Sequence, residues 1–201
     1  MSTTRMKEIA TIDCELITVK PSGSTDEYAL NTASKIQVDI QTETQDAIKL
    51  IIKGVLKSQK RKKVTVTGNQ ITLTDNVFTP ELVQLLQGGT ITTDQTTGAI
   101  TSYTPPVVGS DTTLPVFEVN AYSARYDAAG LIIGYEKITY PNCQGNPISM
   151  TSEDNVFRVN EYVIDSAPAQ GEAPYVISYI DSLPTITEPT TNDTDDTNGD
   201  G

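Results

Sequence analysis

The chain has 201 residues, 14 Lys and Arg against 26 Asp and Glu, a formal charge of −12, and neither His nor Trp. That length suits one domain, or one domain with an appendage, and is enough for a sizeable core. The lack of His excludes Ser-His-Asp and Cys-His catalysis and imidazole metal ligation, and the acidity argues against a protein that neutralises duplex phosphates.

The charge is segregated along the chain. Residues 1–63 carry eleven basic and eight acidic side chains, a net +3, and residues 64–201 carry three basic and eighteen acidic, a net −15. The N-terminal stretch has no apolar segment of signal-peptide type. No run approaches the roughly 20 apolar residues of a membrane helix. A soluble protein made in a cytoplasm is expected. Two cysteines, Cys14 and Cys143, allow at most one bridge, and two buried thiols in a reducing compartment fit a chain of this size.

Thr, Val, Ile and Tyr recur in short alternating runs separated by Gly, Asn, Asp and Pro, which predicts an all-β fold. Strands are expected at 11–19, 35–41, 46–52, 55–59, 63–67 and 70–74. More follow at 90–93, 115–126, 131–140, 156–165 and 174–181. Over 46–59, Ile48, Ile51, Ile52 and Val55 also fit a helix face. The β-branched content and the internal Gly favour two strands, with Lys53-Gly54 as their turn. Asp127-Ala128-Ala129-Gly130 reads as a hairpin turn.

One short helix is signalled at about 79–87. Thr79 is its expected N-cap, Pro80 its first residue and Glu81 a complement to its dipole. Phe78 and Val83 can staple the entry. Leu82, Leu85 and Leu86 form the packing stripe, and Gly88-Gly89 closes the helix. Two turns are too short to stand alone, so Pro80, Leu82, Val83, Leu85 and Leu86 must pack against a sheet or a neighbour. Residues 94–114, with Pro105-Pro106, read as a surface loop or a loosely formed hairpin. Residues 1–184 form the β domain. Residues 185–201, with five acids and no base, form a low-complexity tail expected to be disordered.

Four features bear on function. The run Lys57, Lys60, Arg61, Lys62, Lys63 is either a solvated hairpin tip or an electrostatic contact with an acidic surface, of which this protein offers its own. It lacks the interleaved aromatics and multiple Arg of a nucleic-acid patch. Asp196–Gly201 fits the first half of a calcium loop, but the completing Glu is missing, so no metal is expected. Glu153-Asp154, or Glu118 with Glu136, are the carboxylate pairs that could serve glycoside hydrolysis. Nothing in their spacing selects one, no nucleotide or nucleophile motif is present, and the chain reads as a non-enzyme without cofactors. Nine Tyr outnumber three Phe. Tyr103, Tyr122, Tyr126, Tyr135, Tyr140, Tyr162, Tyr175 and Tyr179 all follow the helix, as cross-strand packing or as interface aromatics.

Several segments together resemble the major tail (tail tube) proteins of tailed bacteriophages, of the Gram-positive-host type. They are Val66-Thr67-Gly68-Asn69-Gln70-Ile71-Thr72-Leu73-Thr74-Asp75-Asn76 running into FTPELVQLLQGGT, the stretch from Gly134 to Gly145, and Glu161-Tyr162-Val163-Ile164 followed by Pro174–Tyr179 and Leu183-Pro184. The resemblance covers about residues 8–184. It implies a β-sandwich or half-barrel with one flanking helix and a long hairpin arm. It further implies hexameric rings stacked into a tube, the N-terminal segment and a hairpin or loop reaching the adjacent ring, and no active site. Its implied partners are other copies of the chain, a tape-measure protein and DNA in the lumen, and no membrane; a surrounding contractile sheath is left open. The implied location is a virion tail, after synthesis in the host bacterial cytoplasm. On that resemblance the basic run becomes an inter-ring contact, the acidic body a lumen that repels DNA, and the N-terminus and residues 94–114 segments ordered on assembly. The competing reading is a β-sandwich surface-binding module, an adhesin or carbohydrate-binding domain, with the tyrosines as its platform.

Overall fold

The computed structural model describes residues 9–30, 32–110, 113–151, 153–155 and 158–186. Among them the fold is all-β with one short helix. The strands are β1 (Thr11–Pro21), β2 (Tyr28–Leu30), β3 (Ala33–Gln45), β4 (Ile48–Ile52), β5 (Val55–Lys60) and β6 (Lys63–Asp75). After α1 (Pro80–Gln87) come β7 (Thr90–Thr93), β8 (Ile100–Thr104), β9 (Phe117–Tyr126), β10 (Ile132–Gly145), β11 (Asn160–Ser166) and β12 (Val176–Ile180).

One antiparallel sheet runs β2-β1-β9-β10-β11-β6-β3, and β12 joins it on β10. Strand β10 serves two neighbours in turn. Its residues Tyr135–Thr139 pair with β12, and Cys143–Gly145 pair with β11. Between these stretches the pairing with β9 shifts register, at Tyr140 and Cys143, and Asn142 takes a left-handed φ of 48°. An extra residue of this kind bends a strand. The sheet therefore curls, and its two halves share one core: Ile17, Val19, Phe117 and Val119 on one side, Ile71, Leu73, Tyr162 and Ile164 on the other. Alternation on β6 and β11 puts every second side chain into that core, as a sheet with one solvated face requires.

The helix caps the core with Leu82, Val83 and Leu86, all buried, while Leu85 and Phe78 pack at its margin. It lies so close to β10 that a Cβ on Gly145 would stand 2.5 Å from the Leu86 Cβ and carbonyl oxygen. Thr79 has the extended backbone of an N-cap, yet its side chain makes no capping hydrogen bond; the first turn is held by the Val83 amide donating to the Thr79 carbonyl at 3.1 Å. At the other end Gly88, φ 77°, closes the helix by donating to Gln84.

The turns foreseen at Lys53-Gly54 and Asp127–Gly130 are present. Lys53 and Gly54 both have positive φ, 49° and 79°, which is the twist a two-residue hairpin needs. The Asp127 carboxylate accepts from the Ala129 and Leu131 amides at 2.8 and 2.9 Å. The expected strands 63–67 and 70–74 are one continuous β6, because Gly68 leaves room for the Ser166–Ala167 backbone beside it. Strands β2 and β8 were not foreseen, and β11 starts at Asn160 rather than 156; Val156 and Phe157 lie outside the described residues. The 94–114 segment contains the second strand of a β7–β8 hairpin, whose turn is built by Asp94 accepting from the Thr96 and Thr97 amides. Tyr103 ties that hairpin to the helix: its hydroxyl donates to the Gly88 carbonyl at 2.7 Å and accepts from Gln87 at 2.9 Å.

Candidate assembly surfaces

Strands β3 and β6 continue together well past the core, and β4–β5 extends them. Every residue from Asp39 to Thr67 is exposed. At about 3.3 Å per residue, the thirteen residues from Gln41 to the turn at Lys53 give an arm of about 40 Å along its strands. A register shift where Gln41 pairs with Gly68 and Thr42 with Val66 inserts Thr67 as an extra residue. This shift reverses the alternation on β6. Val64 and Val66 consequently stand on the same face as Ile40, Thr42 and Thr44, the face that is core-directed farther along as Ile36, Val38, Ile71 and Leu73. The arm thus carries an extension of the core face that the chain itself does not cover. Toward the tip both faces of the β4–β5 hairpin are apolar, Ile48, Leu50, Ile52 and Val55 on one and the Ile51–Leu56 pair on the other, and Ile48 is 67% exposed.

The opposite face of β11, β6 and β3 is polar. Cross-strand rows read Glu161, Thr74, Lys35; then Val163, Thr72, Gln37; then Asp165, Gln70, Asp39. Its side chains bond along the surface: Lys35 to Gln37 at 3.1 Å, Gln37 to Asp39 at 3.3 Å, Gln70 to Asp165 at 3.2 Å and Asn146 to Asp165 at 2.8 Å. Gln41, Glu43 and Gln45 continue the face along the arm. No aromatic side chain stands in these rows.

The sequence-predicted basic run lies on the arm. Lys57 is in β5, Lys60 ends it, Arg61 and Lys62 form the break between the strands, and Lys63 begins β6. The run sits at this bend, midway along the arm, whereas the tip is Lys53-Gly54. Lys60 pairs with Ile48 and Lys63 with Gln45, so neither faces a carboxylate across the ladder. From Gln41 to Thr67 the arm holds seven cations and two acids, a net +5.

Among the described residues strand β12 is an edge, hydrogen-bonded to β10 alone. The pairing of Ile177 with Ile138 puts Tyr175, Ile177 and Tyr179 on the core-directed face. Tyr175 approaches Tyr140 at 6.2 Å between ring centroids, and the Arg125 guanidinium lies 4.8 Å above the Tyr179 ring. Tyr175, Val176, Ile177 and Tyr179 are nevertheless exposed.

The remaining candidates are not brought together into a site. Glu118 faces Lys20 on β1, whereas Glu136 faces Ser123 and Tyr179, so register separates the two carboxylates. Glu153 and Asp154 are exposed in a connecting segment. Asp196–Gly201 lies outside the described residues, as do residues 1–8 and all of the acidic tail beyond Ile186. Both cysteines are free, with Cys143 buried and Cys14 half-buried. Burial pushes the Cys143 thiol and the Tyr140 phenol up to about 12. Tyr140 and Tyr162 are core residues and Tyr122 is buried on the opposite face of β9, which separates all three from the exposed pair Tyr175 and Tyr179.

Sequence reasoning missed one polar cluster. The Glu27 carboxylate accepts from Thr18, from Asn120 at 3.1 Å and from Tyr122 at 3.4 Å, while Thr139 donates to Asn120 at 2.7 Å. Asn120 and Thr18 are buried on the side of β9 and β1 opposite the core, and Glu27 fastens the 22–29 segment over them. The nearest signal in the sequence was the polar alternation of 117–122, which does not reveal its partner.

No protein-family model matches the chain, and no curated protein matches it. Among solved structures, a chain in the cryo-EM structure of the anti-feeding prophage baseplate, six-fold symmetrised, aligns over 86% of this chain and 97% of its own length, at 9% identity and a TM-score of 0.40. A likeness at that level says nothing of assembly or cargo.

Proposed function

We propose that the chain is a structural subunit of a phage-type tail tube. Copies close into six-membered rings, rings stack, and the arm spans from each copy to a neighbour. The observation that carries this reading is the arm itself. An extended apolar face with open strand edges is a liability for a chain that stays alone, and becomes a contact once another copy covers it. Because the arm and the surface it meets are different parts of the chain, the contact is heterologous, and such contacts build rings and open stacks. The basic run at the arm's bend, Lys57, Lys60, Arg61, Lys62 and Lys63, meets the acidic body of a neighbour and fixes orientation more than affinity.

The polar face of β11, β6 and β3 serves as the wall of the DNA passage. Asp39, Glu161 and Asp165 repel phosphates, the Gln and Thr rows present small neutral groups, and stacking platforms are lacking, so DNA moves without adhering. The chain's partners are then other copies, a tape-measure protein and DNA, with virion assembly following synthesis in the host cytoplasm. The role has no catalytic step. Hydrogen exchange measured at rising protein concentration tests the reading. Amides of 41–67 should slow markedly as the protein concentrates, and unchanged exchange there would refute an assembly role for the arm.

A further inference from the structure

The arm's tip needs a seat, and the surface of β12 fits it. The tip is β4–β5, a two-stranded hairpin with both outer edges open among the described residues, bearing Ile48, Leu50, Ile51, Ile52, Val55 and Leu56. These side chains remain about half exposed or more, so the chain's own body does not cover them. From Ala47 to Thr67 the arm has no acid, and Lys49, Lys53 and Lys57 accompany the apolar residues. The matching surface must be apolar, have a free strand edge and carry negative charge.

Strand β12 meets these requirements. Among the described residues its outer edge has no partner strand, and Tyr175, Ile177 and Tyr179 stand exposed on one face of it. Glu136 lies directly across from Tyr179, and Asp181 follows the strand. The neighbouring cation on this face, Arg125, is already engaged above the Tyr179 ring. The other free edges fit less well: β2 is three residues long, β3 presents Lys35, Gln37 and Asp39, and β7 and β8 carry mainly Thr and Ser.

We infer that the β4–β5 tip of one copy docks on the β12 edge of a second copy, aliphatic side chains against Tyr175, Ile177 and Tyr179, with Lys49 or Lys53 paired to Glu136 or Asp181. An added strand satisfies backbone groups on both edges, and the tyrosines supply amphipathic area that tolerates water before assembly. This inference rests on the tube reading for its biological setting, and the contact stands or falls on its own test.

The test uses two full-length variants. Ile51→Asp with Leu56→Asp spoils the tip and leaves the seat intact. Ile177→Asp spoils the seat and leaves the tip intact. All three positions are exposed, so circular dichroism and the melting curve should match the parent. By sedimentation, each variant alone should associate about 30-fold more weakly than the parent, the size of a lost hot spot. Mixed one to one, they should form a dimer that grows no further, since each supplies the half the other lacks. If the Ile177→Asp variant alone associates as the parent does, or the mixture stays monomeric, the contact is wrong. Tubes formed by each variant alone would overturn the contact and leave the tube reading standing. A dimer in the mixture, from a parent that makes no tubes, would keep the contact and remove the tube reading.

Discussion

Replacing Gly145 by Ala tests whether helix docking holds the curled sheet together. The new Cβ would stand 2.5 Å from the Leu86 Cβ and carbonyl oxygen, and closer still to its Cα, where ordinary contact begins near 3.4 Å. The obstruction is backbone, so α1 must move by about 1 Å or the strand must bend. Overpacking a filled core costs about 1–3 kcal/mol. Lifting α1 also re-exposes part of Leu82, Val83 and Leu86, each worth about 1.5–3 kcal/mol when fully buried. A loss of about 3 kcal/mol follows, which at about 2–4 °C per kcal/mol for a chain of this size lowers the melting temperature by roughly 6–12 °C. Gly130→Ala is the control: nothing lies within 4 Å of its Cβ position, and only its φ of +81° opposes a side chain. That backbone strain costs about 1 kcal/mol. Urea and thermal unfolding should rank Gly145→Ala well below Gly130→Ala. Equal midpoints would refute the close docking of the helix on β10.

Three other outcomes are expected. Replacing Lys60, Arg61, Lys62 and Lys63 by Glu should leave the unfolding midpoint unchanged, because all four are exposed, yet raise the concentration needed for assembly at least tenfold; assembly that proceeds unchanged, followed by light scattering, would end the role given to the bend. Glu27→Ala should cost about 1–3 kcal/mol by leaving the buried Asn120 amide and Thr18 hydroxyl without their acceptor, and Glu27→Gln, which keeps an acceptor oxygen, should cost less in the same melt. With Cys143 and Tyr140 pushed up to about 12 by burial, the unfolded chain releases these protons first as pH rises. The contribution of these two groups should be constant from neutral pH to about pH 9 and be lost between about pH 9 and 12. Stability that stays flat to pH 12 in urea titrations would contradict their burial.

What could be read from the sequence was local. The helix was legible because Pro80, the Leu stripe and Gly88 all lie within one short window. The Lys53-Gly54 and Asp127–Gly130 turns were legible because Gly and Asp impose their backbone directly. The continuity of β6 was hidden, since Gly68-Asn69 reads as a turn until the Ser166–Ala167 backbone packs against it. Register was also hidden: one extra residue at Thr67 decides which face Val64 and Val66 occupy, and alternation alone does not locate such a shift. The basic run was visible, but its position at a bend rather than a tip depends on where β5 ends and β6 begins. The Glu27 cluster joins residues about ninety positions apart and leaves no local trace.

Self-assembly of the chain proceeds, on the proposed reading, through the arm. Electron microscopy of the purified, concentrated full-length protein at low salt tests it most directly. Hollow tubes of stacked rings with six-fold symmetry are expected. Persistent monomers under those conditions would contradict it.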